Sequence, residues 1–437
     1  MSNVNPLIEI VKSQKKGIAK GIYSACSANE YVIEAVLESA LLNGDFALIE
    51  ATANQVNQFG GYTGMKPEDF KRFVYSIAEK VKFPVEKIIL GGDHLGPLTW
   101  QNEDTVDAMK KSRELIRDYV LAGFTKIHID TSMKLKEDVD CGEFNTEIIA
   151  ARGAELCLEA EMAFEELIKK DAYATHPVYI IGSEVPIPGG SQEDDDLVSV
   201  TKVSDFENTI KTFKEAFVSK NLESAWMHVV AVVVQPGVEF GDEAIHEYDR
   251  EKAKDLVMAL KKYPNFVLEG HSTDYQNAQS LKSMVEDGIA ILKVGPALTF
   301  ALREGLFALN YIENELFRYS PEIQLSGFIE TLEKQMLKKP DNWQKHYHGS
   351  SEKIRFARKY SYSDRCRYYL PSEDVDESIK LLINNLRSRE IPLTLIKQFM
   401  PVQYKKVRNN KLKNDPEALL KDVIVDCIED YIYATHP

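Results

Sequence analysis

Eight short β-branched runs, each followed by a helical stretch, constrain this 437-residue chain more than any single motif does. The runs are Ala19 to Cys26, Phe46 to Ala51, Lys87 to Leu90, Lys126 to Asp130, Val178 to Gly182, His228 to Val234, Phe266 to Glu269 and Ile291 to Val294. Helical spacing follows at Glu30 to Leu42, Pro67 to Val81, Thr105 to Leu121, Glu147 to Lys169, Asp205 to Val218, Asp249 to Lys261, Asn277 to Glu286 and Ala297 to Leu309. Pro67 with Glu68 and Asp69 is a helix start, since proline has no N–H to lose there and acids favour the positive end of the helix dipole. Parallel strands need crossover helices, and eight β-then-α units within about 300 residues are the count that closes a parallel barrel. The predicted fold is α/β, a (β/α)8 TIM barrel over residues 1–317.

Residues 318–437 change character. Phe328 to Met336, Ile354 to Arg367, Val375 to Leu386 and Ala418 to Tyr431 have helical apolar spacing and no strand among them, which predicts a helical extension packed on the barrel. Within it Arg355, Arg358, Lys359, Arg365 and Arg367 alternate with Tyr360, Tyr362, Tyr368 and Tyr369. A formal net charge of -15 argues against nucleic acid and against anionic lipid, so these arginines are expected to pair with nearby acids. The five cysteines are scattered, with no C-x-x-C spacing, which predicts neither a disulfide framework nor a zinc knuckle. The longest apolar run, Val229 to Val234, is strand-sized, and Met1 to Gly17 has no apolar leader pattern. A cytoplasmic protein without a membrane span is expected.

Barrel enzymes draw their sites from the C-terminal ends of several strands, so the residues there are the candidates for chemistry. The third run ends in GGDHLGP, placing Asp93 beside His94; the seventh ends in Gly270-His271-Ser272-Thr273-Asp274. The fourth reads His128-Ile129-Asp130, with Asp130 nearer the rim and His128 one layer inward as a hydrogen-bonded core histidine. The fifth ends in Ser183-Glu184, the sixth in Gln235-Pro236-Gly237, and the second in Glu50, followed by Asn54 and Gln55. Two histidines with converging carboxylates suit a divalent metal, zinc, manganese or cobalt, acting as a Lewis acid on a carbonyl oxygen. His94 and His271 are expected as ligands, Glu184 as a ligand or a ligand's partner, and Asp93 as the leading group for proton transfer, with Asp130 and Glu184 as further catalytic candidates.

Glycine turns at Gly189-Gly190-Ser191, Gly270-His271-Ser272 and Gly295-Pro296-Ala297 place backbone N–H groups where a phosphate could sit. Gly190, Ser191, Ser272, Asp274 and, if its helix turns it that way, Arg303 are the substrate-binding candidates, together with Glu50, Asn54 and Gln55. Lys126 and Lys293 are strand lysines, placed inside the barrel and not at its rim, which argues against Schiff-base chemistry.

EATANQVNQFGGYTG (50 to 64), GGDHLGP (91 to 97), HIDTSM (128 to 133), GSEVPIPGG (182 to 190), EGHSTDYQ (269 to 276) and KVGPALTFALREGLFAL (293 to 309) together resemble the Z-subunit family of tagatose-1,6-bisphosphate aldolase, GatZ/KbaZ. The resemblance implies a barrel fold and a place in galactitol, N-acetylgalactosamine or tagatose catabolism. It also implies a ketohexose or its phosphate as substrate, and a separate class II aldolase catalytic subunit as partner in a homo- or hetero-oligomer. The family is in turn similar to class II aldolases, whose acid and metal histidine correspond to Asp93 and His94, strand-five glutamate to Glu184 and strand-seven histidine to His271. Their strand-six metal histidine falls at Gln235, leaving glutamine as a fourth candidate ligand, and their strand-eight asparagine falls near Gly295. The implied functions are an aldolase Z-type subunit with a metal-type site, or a metal-dependent fructose/tagatose 4-epimerase working by retro-aldol cleavage or proton transfer; autonomous aldol cleavage is disfavoured by Gln235 and Gly295.

Overall fold

A computed structural model describes residues 4–141, 144–185 and 198–437, the side chains of residues 140 and 141 excepted. Eight parallel strands close into a barrel, as the alternation predicts: Ile22–Cys26, Ala47–Thr52, Ile88–Leu95, Lys126–Ile129, Val178–Ile181, Val229–Val234, Val267–Gly270 and Ile289–Val294. They stand in chain order, and the ring closes where the first strand pairs with the eighth, Ile22 opposite Ile291. Parallel strands buried on both faces read as continuous apolar runs, which is why Val229–Val234 is wholly buried.

The third strand runs on through Gly91 to Leu95, farther than its apolar stretch predicts. Gly91 makes this possible, because a Cβ there would stand 2.6 Å from the Glu50 side chain. Against the fourth strand the register slips between Gly92 and Leu95, three residues advancing against two from Ile127 to Ile129. The extra residue is a bulge at Asp93-His94, and His94 takes a left-handed φ of 47°. A left-handed backbone is unusual outside glycine, and here it lowers His94 by one residue toward its neighbour His128.

The barrel interior has two storeys. In the lower one Ile22, Leu48, Ile89, Ile180, Val230, Val267 and Ile291 form an apolar core, stoppered by Leu7, Ile10 and Val11 of the helix Pro6–Lys15. The upper storey is charged and underlies the site. Outside, a second core lies between the strands and their surrounding helices.

The extension is tied to the barrel at several points. Its last helix, Pro416–Thr435, packs against the first strand and the helices Glu30–Asn43, Ala278–Glu286 and Pro296–Phe317. Tyr431 donates a 2.8 Å hydrogen bond to the Thr273 carbonyl, and the Gly21 N–H donates to the Thr435 carbonyl at 3.0 Å. The helix expected over Ile354 to Arg367 instead ends at Tyr360. Ser361 Oγ donates to Asp242 at 2.7 Å, the Tyr362 N–H donates to the Asp242 carbonyl, and Asp364 adopts a φ of 43°. These barrel contacts outbid another helical turn, and Arg365–Tyr368 become a short 3-10 turn over the barrel mouth. Among the described residues no helix is long and apolar enough to cross a membrane.

Candidate active site

At the C-terminal mouth of the barrel one ring nitrogen each from His94, His128 and His271 and a carboxylate oxygen of Asp93 lie within 4.8 Å of one another. The three rings meet edge to face, with centroids 5.0, 4.9 and 5.1 Å apart. Each imidazole has one nitrogen beside a carboxylate. His94 Nδ1 is 2.8 Å from Asp130, His128 Nδ1 is 3.0 Å from Asp93 and His271 Nε2 is 3.0 Å from Glu269. An imidazole that donates its N–H to a carboxylate presents a lone pair on its other nitrogen, the arrangement that orients metal-binding histidines. For His128 the tautomer decides which of its groups are satisfied. Its Nδ1 also stands 3.2 Å from the His94 N–H, but accepting that bond would place a proton on Nε2, which is buried with no partner. Donation from Nδ1 to Asp93 instead leaves Nε2 with its lone pair, the state that suits a metal ligand, at the cost of the bond from the His94 N–H.

Below the histidines the barrel holds a ladder of buried charges. Lys126 lies 2.5 Å from Glu50 and 2.8 Å from Glu269, and Lys293 is paired with Glu50 and, at 2.9 Å, with Asp93. Counting Asp130, four buried carboxylates face two buried ammonium groups, so the acids outnumber the lysines by two. A divalent cation has the charge to balance that difference, and three nitrogens with one oxygen suit zinc, manganese or cobalt. The residues therefore fit such an ion. No metal identity follows from the donor set alone.

Burial raises the carboxyl of Asp93, but Lys293, His94 and His128 overcome it and hold the group well below its ordinary range. Burial likewise opposes the ionisation of Asp130 and Glu269, and their histidine and lysine partners keep both low. His271 is pushed down by burial to about 3, against the pull of Glu269, which keeps it neutral. Burial lowers His94, yet Asp93 and Asp130 bring it above its ordinary value. Lys293 is held well above its own by Asp93 and Glu50 despite burial. Lys293 nevertheless lines the pocket, closer to the mouth than its place inside the strand predicts.

The pocket over this cluster is lined by Asp93, His94 and His271, and by the expected Asn54, Gln55, Ser272 and Asp274. Asp130 stands behind His94 as its hydrogen-bond partner. Glu50 is fully buried between the two lysines, inside the barrel and away from where substrate would be met. Glu184 and Gln235 line a separate depression with Glu239 and Ser132. The Gln235 amide oxygen accepts from the Gly237 and Val238 N–H groups at 2.9 and 3.0 Å, closing its own turn instead of meeting the histidines. The position expected from Gln235 is taken by His128, from the fourth strand. Gly190 and Ser191 lie outside the described residues.

The glycine turn before the helix Pro296–Phe317 is likewise spoken for. Asp274 Oδ1 accepts from the Gly295 and Ala297 N–H groups at 3.0 and 2.8 Å, so a carboxylate of the chain itself occupies that place. Burial raises this carboxyl to about 6 against those two hydrogen bonds. Arg303 does not reach the pocket. It is buried with its Nε 3.0 Å from Asp364 and its guanidinium 4.0 Å over Phe300, bracing the extension against the barrel.

Cys26, Tyr62, Phe240, Lys293, Arg367 and Tyr368 also line the pocket, and none was a site candidate. Lys293 was legible in hindsight, two residues before the rim of the eighth strand. Arg367 and Tyr368 come from the extension, and only the end of the helix at Tyr360 puts them over the barrel mouth.

Comparison with known proteins agrees with this architecture. A family model described as D-tagatose-1,6-bisphosphate aldolase subunit GatZ/KbaZ-like matches residues 7–436. A solved structure described as a probable tagatose 6 phosphate kinase from Sinorhizobium meliloti 1021 is 42% identical, with a TM-score of 0.85, over 95% of this chain and 100% of that one. The YdjI aldolase from Escherichia coli K12 is 13% identical, with a TM-score of 0.43, over 88% of this chain and 99% of that one.

Proposed function

The chain belongs to the D-tagatose-1,6-bisphosphate aldolase subunit GatZ/KbaZ-like family, and on that premise we propose that it is itself a metal-dependent ketohexose 4-epimerase, interconverting fructose-type and tagatose-type sugars by retro-aldol cleavage and re-addition. One observation carries this reading: three histidines, each beside its own carboxylate, converge with Asp93 in a buried cluster where carboxylates outnumber lysines by two. A subunit that served only as a scaffold would have no use for a cluster so costly to bury.

His94, His128 and His271 would hold the ion, which when bound supplies Lewis acidity toward the sugar's carbonyl and hydroxyl oxygens, with the Asp93 carboxylate beside it as the proton-transfer group. Asp93, kept ionised by Lys293, takes the proton from the C4 hydroxyl oxygen. The C3–C4 bond breaks, its electron pair passes to the three-carbon ketone fragment as an enediolate, and C4 becomes an aldehyde carbon. The Lys293 ammonium faces the same pocket and offsets the negative charge that the ketone fragment gains. The roof formed by Tyr62, Phe240 and Tyr368 keeps the aldehyde from leaving. Once that aldehyde has turned its other face, the bond re-forms and Asp93 returns the proton to the C4 oxygen, giving the opposite configuration.

The test is incubation of the metal-loaded protein, without partner, with fructose, tagatose and their phosphates. Conversion to the C4 epimer is expected. Net accumulation of three-carbon products would instead make the protein an aldolase. The family description favours a second reading, an accessory subunit that stabilises a separate class II aldolase subunit. It is supported if the protein turns over nothing alone and raises that partner's activity or stability on co-expression.

A further inference from the structure

The retro-aldol reading leaves open what the pocket grips at the end of the sugar remote from the bond that breaks. The geometry points to Arg367, lying over the ring of Tyr368, as the seat of a substrate phosphomonoester, so that the sugar is a ketohexose phosphate. This rests on the ketohexose reading above and deepens it.

Three observations on the roof support the assignment. First, Arg367 is held in position by the protein's own backbone. Its Nη1 donates to the Ser363 carbonyl and, at 3.0 Å, to that of Asp364, and its Nη2 donates to the Tyr368 hydroxyl at 3.1 Å. A guanidinium has five N–H donors in a rigid plane, so the remaining donors are oriented before any ligand arrives. Second, the charge is not cancelled locally. Among the described residues neither Arg367 nor Arg365 has a carboxylate partner, because Asp364, the acid nearest in sequence, is bound to Arg303, Thr299 and Cys366. Arg365 donates instead to the Asn342 carbonyl at 3.0 Å, and its buried Nε has no partner. Among the described residues no carboxylate is in salt-bridge contact with Arg367, whose guanidinium lines the pocket and is open to an anion there.

Third, the alternative seat is taken. The Gly295 and Ala297 N–H groups at the start of the helix Pro296–Phe317 are bonded to Asp274. An anion entering the pocket therefore meets Arg367 as its cationic group on the roof, while Lys293 on the wall is already paired with Asp93 and Glu50. Arg367 lies 4.6 Å over the Tyr368 ring, and Tyr62 packs edge to face against that same ring at 4.8 Å, fixing the surface on which the guanidinium rests. The pocket then has one end built for a cation and the other for an anion. A sugar phosphate whose hydroxyls meet the histidine end and whose phosphate meets Arg367 uses both.

The experiment measures binding and needs no turnover. The full-length, metal-loaded chain is titrated by calorimetry with a hexitol 6-phosphate and with the unphosphorylated hexitol. The phosphate is expected to bind at least about 10-fold more tightly, and Arg367→Met to bring the two within about 2-fold of one another. Equal binding of the two by the unaltered protein, or a folded R367M that keeps the preference, overturns the assignment. If R367M does not fold, phenylglyoxal labelling of the unaltered protein decides. Peptide mass mapping should show Arg367 shielded by the hexitol phosphate and not by the hexitol, and shielding by neither overturns it. A protein that binds in this way but epimerises nothing would sink the proposed reaction and leave this seat standing.

Discussion

The barrel wall and the extension's roof face each other across one pocket and solve opposite electrostatic problems. On the wall, acids outnumber ammonium groups: Glu50, Asp93, Asp130 and Glu269 stand against Lys126 and Lys293. Each side chain there has a named partner, and the excess is concentrated beside three histidine lone pairs. On the roof, Arg365 and Arg367 have no carboxylate in salt-bridge contact among the described residues and rest on backbone carbonyls and Tyr368. Strands can hold a close-packed charge ladder because the register of each is set by a neighbour on either side, whereas the turn laid over the mouth buries Arg365 and presents Arg367 to the pocket. On the reading proposed above, the wall takes a cation and the roof an anion.

That division can be broken experimentally, and the widest breach would come at His128. His128→Ala is expected to abolish the roughly one divalent ion per chain that the unaltered protein should bind, while Arg367→Met and Gln235→Ala leave it in place. Metal analysis of the three proteins checks this; full metal content in His128→Ala, or metal loss in Arg367→Met, would erase the distinction between wall and roof. Next in size, Asp93→Asn should retain the fold and lower turnover about 10²- to 10⁴-fold, the range for a positioned proton-transfer group. Steady-state rates on ketohexose phosphates measure it, and unchanged turnover would remove Asp93 from that role.

A third prediction concerns the ladder beneath the site. Lys126→Met leaves Glu50 and Glu269 buried without their shared ammonium and is expected to cost about 3–5 kcal/mol of stability, read from urea unfolding. A much smaller loss would mean that the ladder is not the structural unit described. The smallest effect belongs to Asp274. Its carboxyl, raised by burial to about 6 from an ordinary 3.8, holds its proton more tightly in the folded chain than in the unfolded one. The stability that this proton confers is fully present below pH 3.8 and is lost as the pH rises through about 6. Asp274→Asn keeps an acceptor for Gly295 and Ala297 and removes that loss, so its advantage should be larger at pH 8 than at pH 4, by about 2 kcal/mol. Equal advantage at both pH values would show that the carboxyl is not held protonated.

Much of the fold was legible. Parallel strands buried on both faces must be apolar and β-branched, and amphipathic crossovers must follow them, so all eight strands fall within a few residues of where the alternation places them. Of the candidate site, the structure brings together those side chains that sit at the ends of their own strands, Asp93, His94 and His271. The site was not legible where position depends on a neighbour. His128 reads as a core histidine, and only the bulge between Gly92 and Leu95 sets His94 at its level. Gln235 reads as a ligand by correspondence, but its amide is consumed by the turn it belongs to. Glu50 and Arg303 read as substrate-binding, but the cheapest partners for their charges are buried lysines and Asp364.

The sequence by itself determined a parallel eight-stranded barrel, the acid–imidazole pair at its mouth and the family. Apolar periodicity and strand-end chemistry are local properties, readable one segment at a time. Only the tertiary structure decided which third histidine joins the cluster, which lysine stands beside Asp93 and which arginine looks down on both. Those choices are matters of register and of where the chain stops being helical, and they are settled by contacts between residues far apart in sequence: His94 with Asp130 and His128, Lys293 with Glu50, and Asp242 with Ser361.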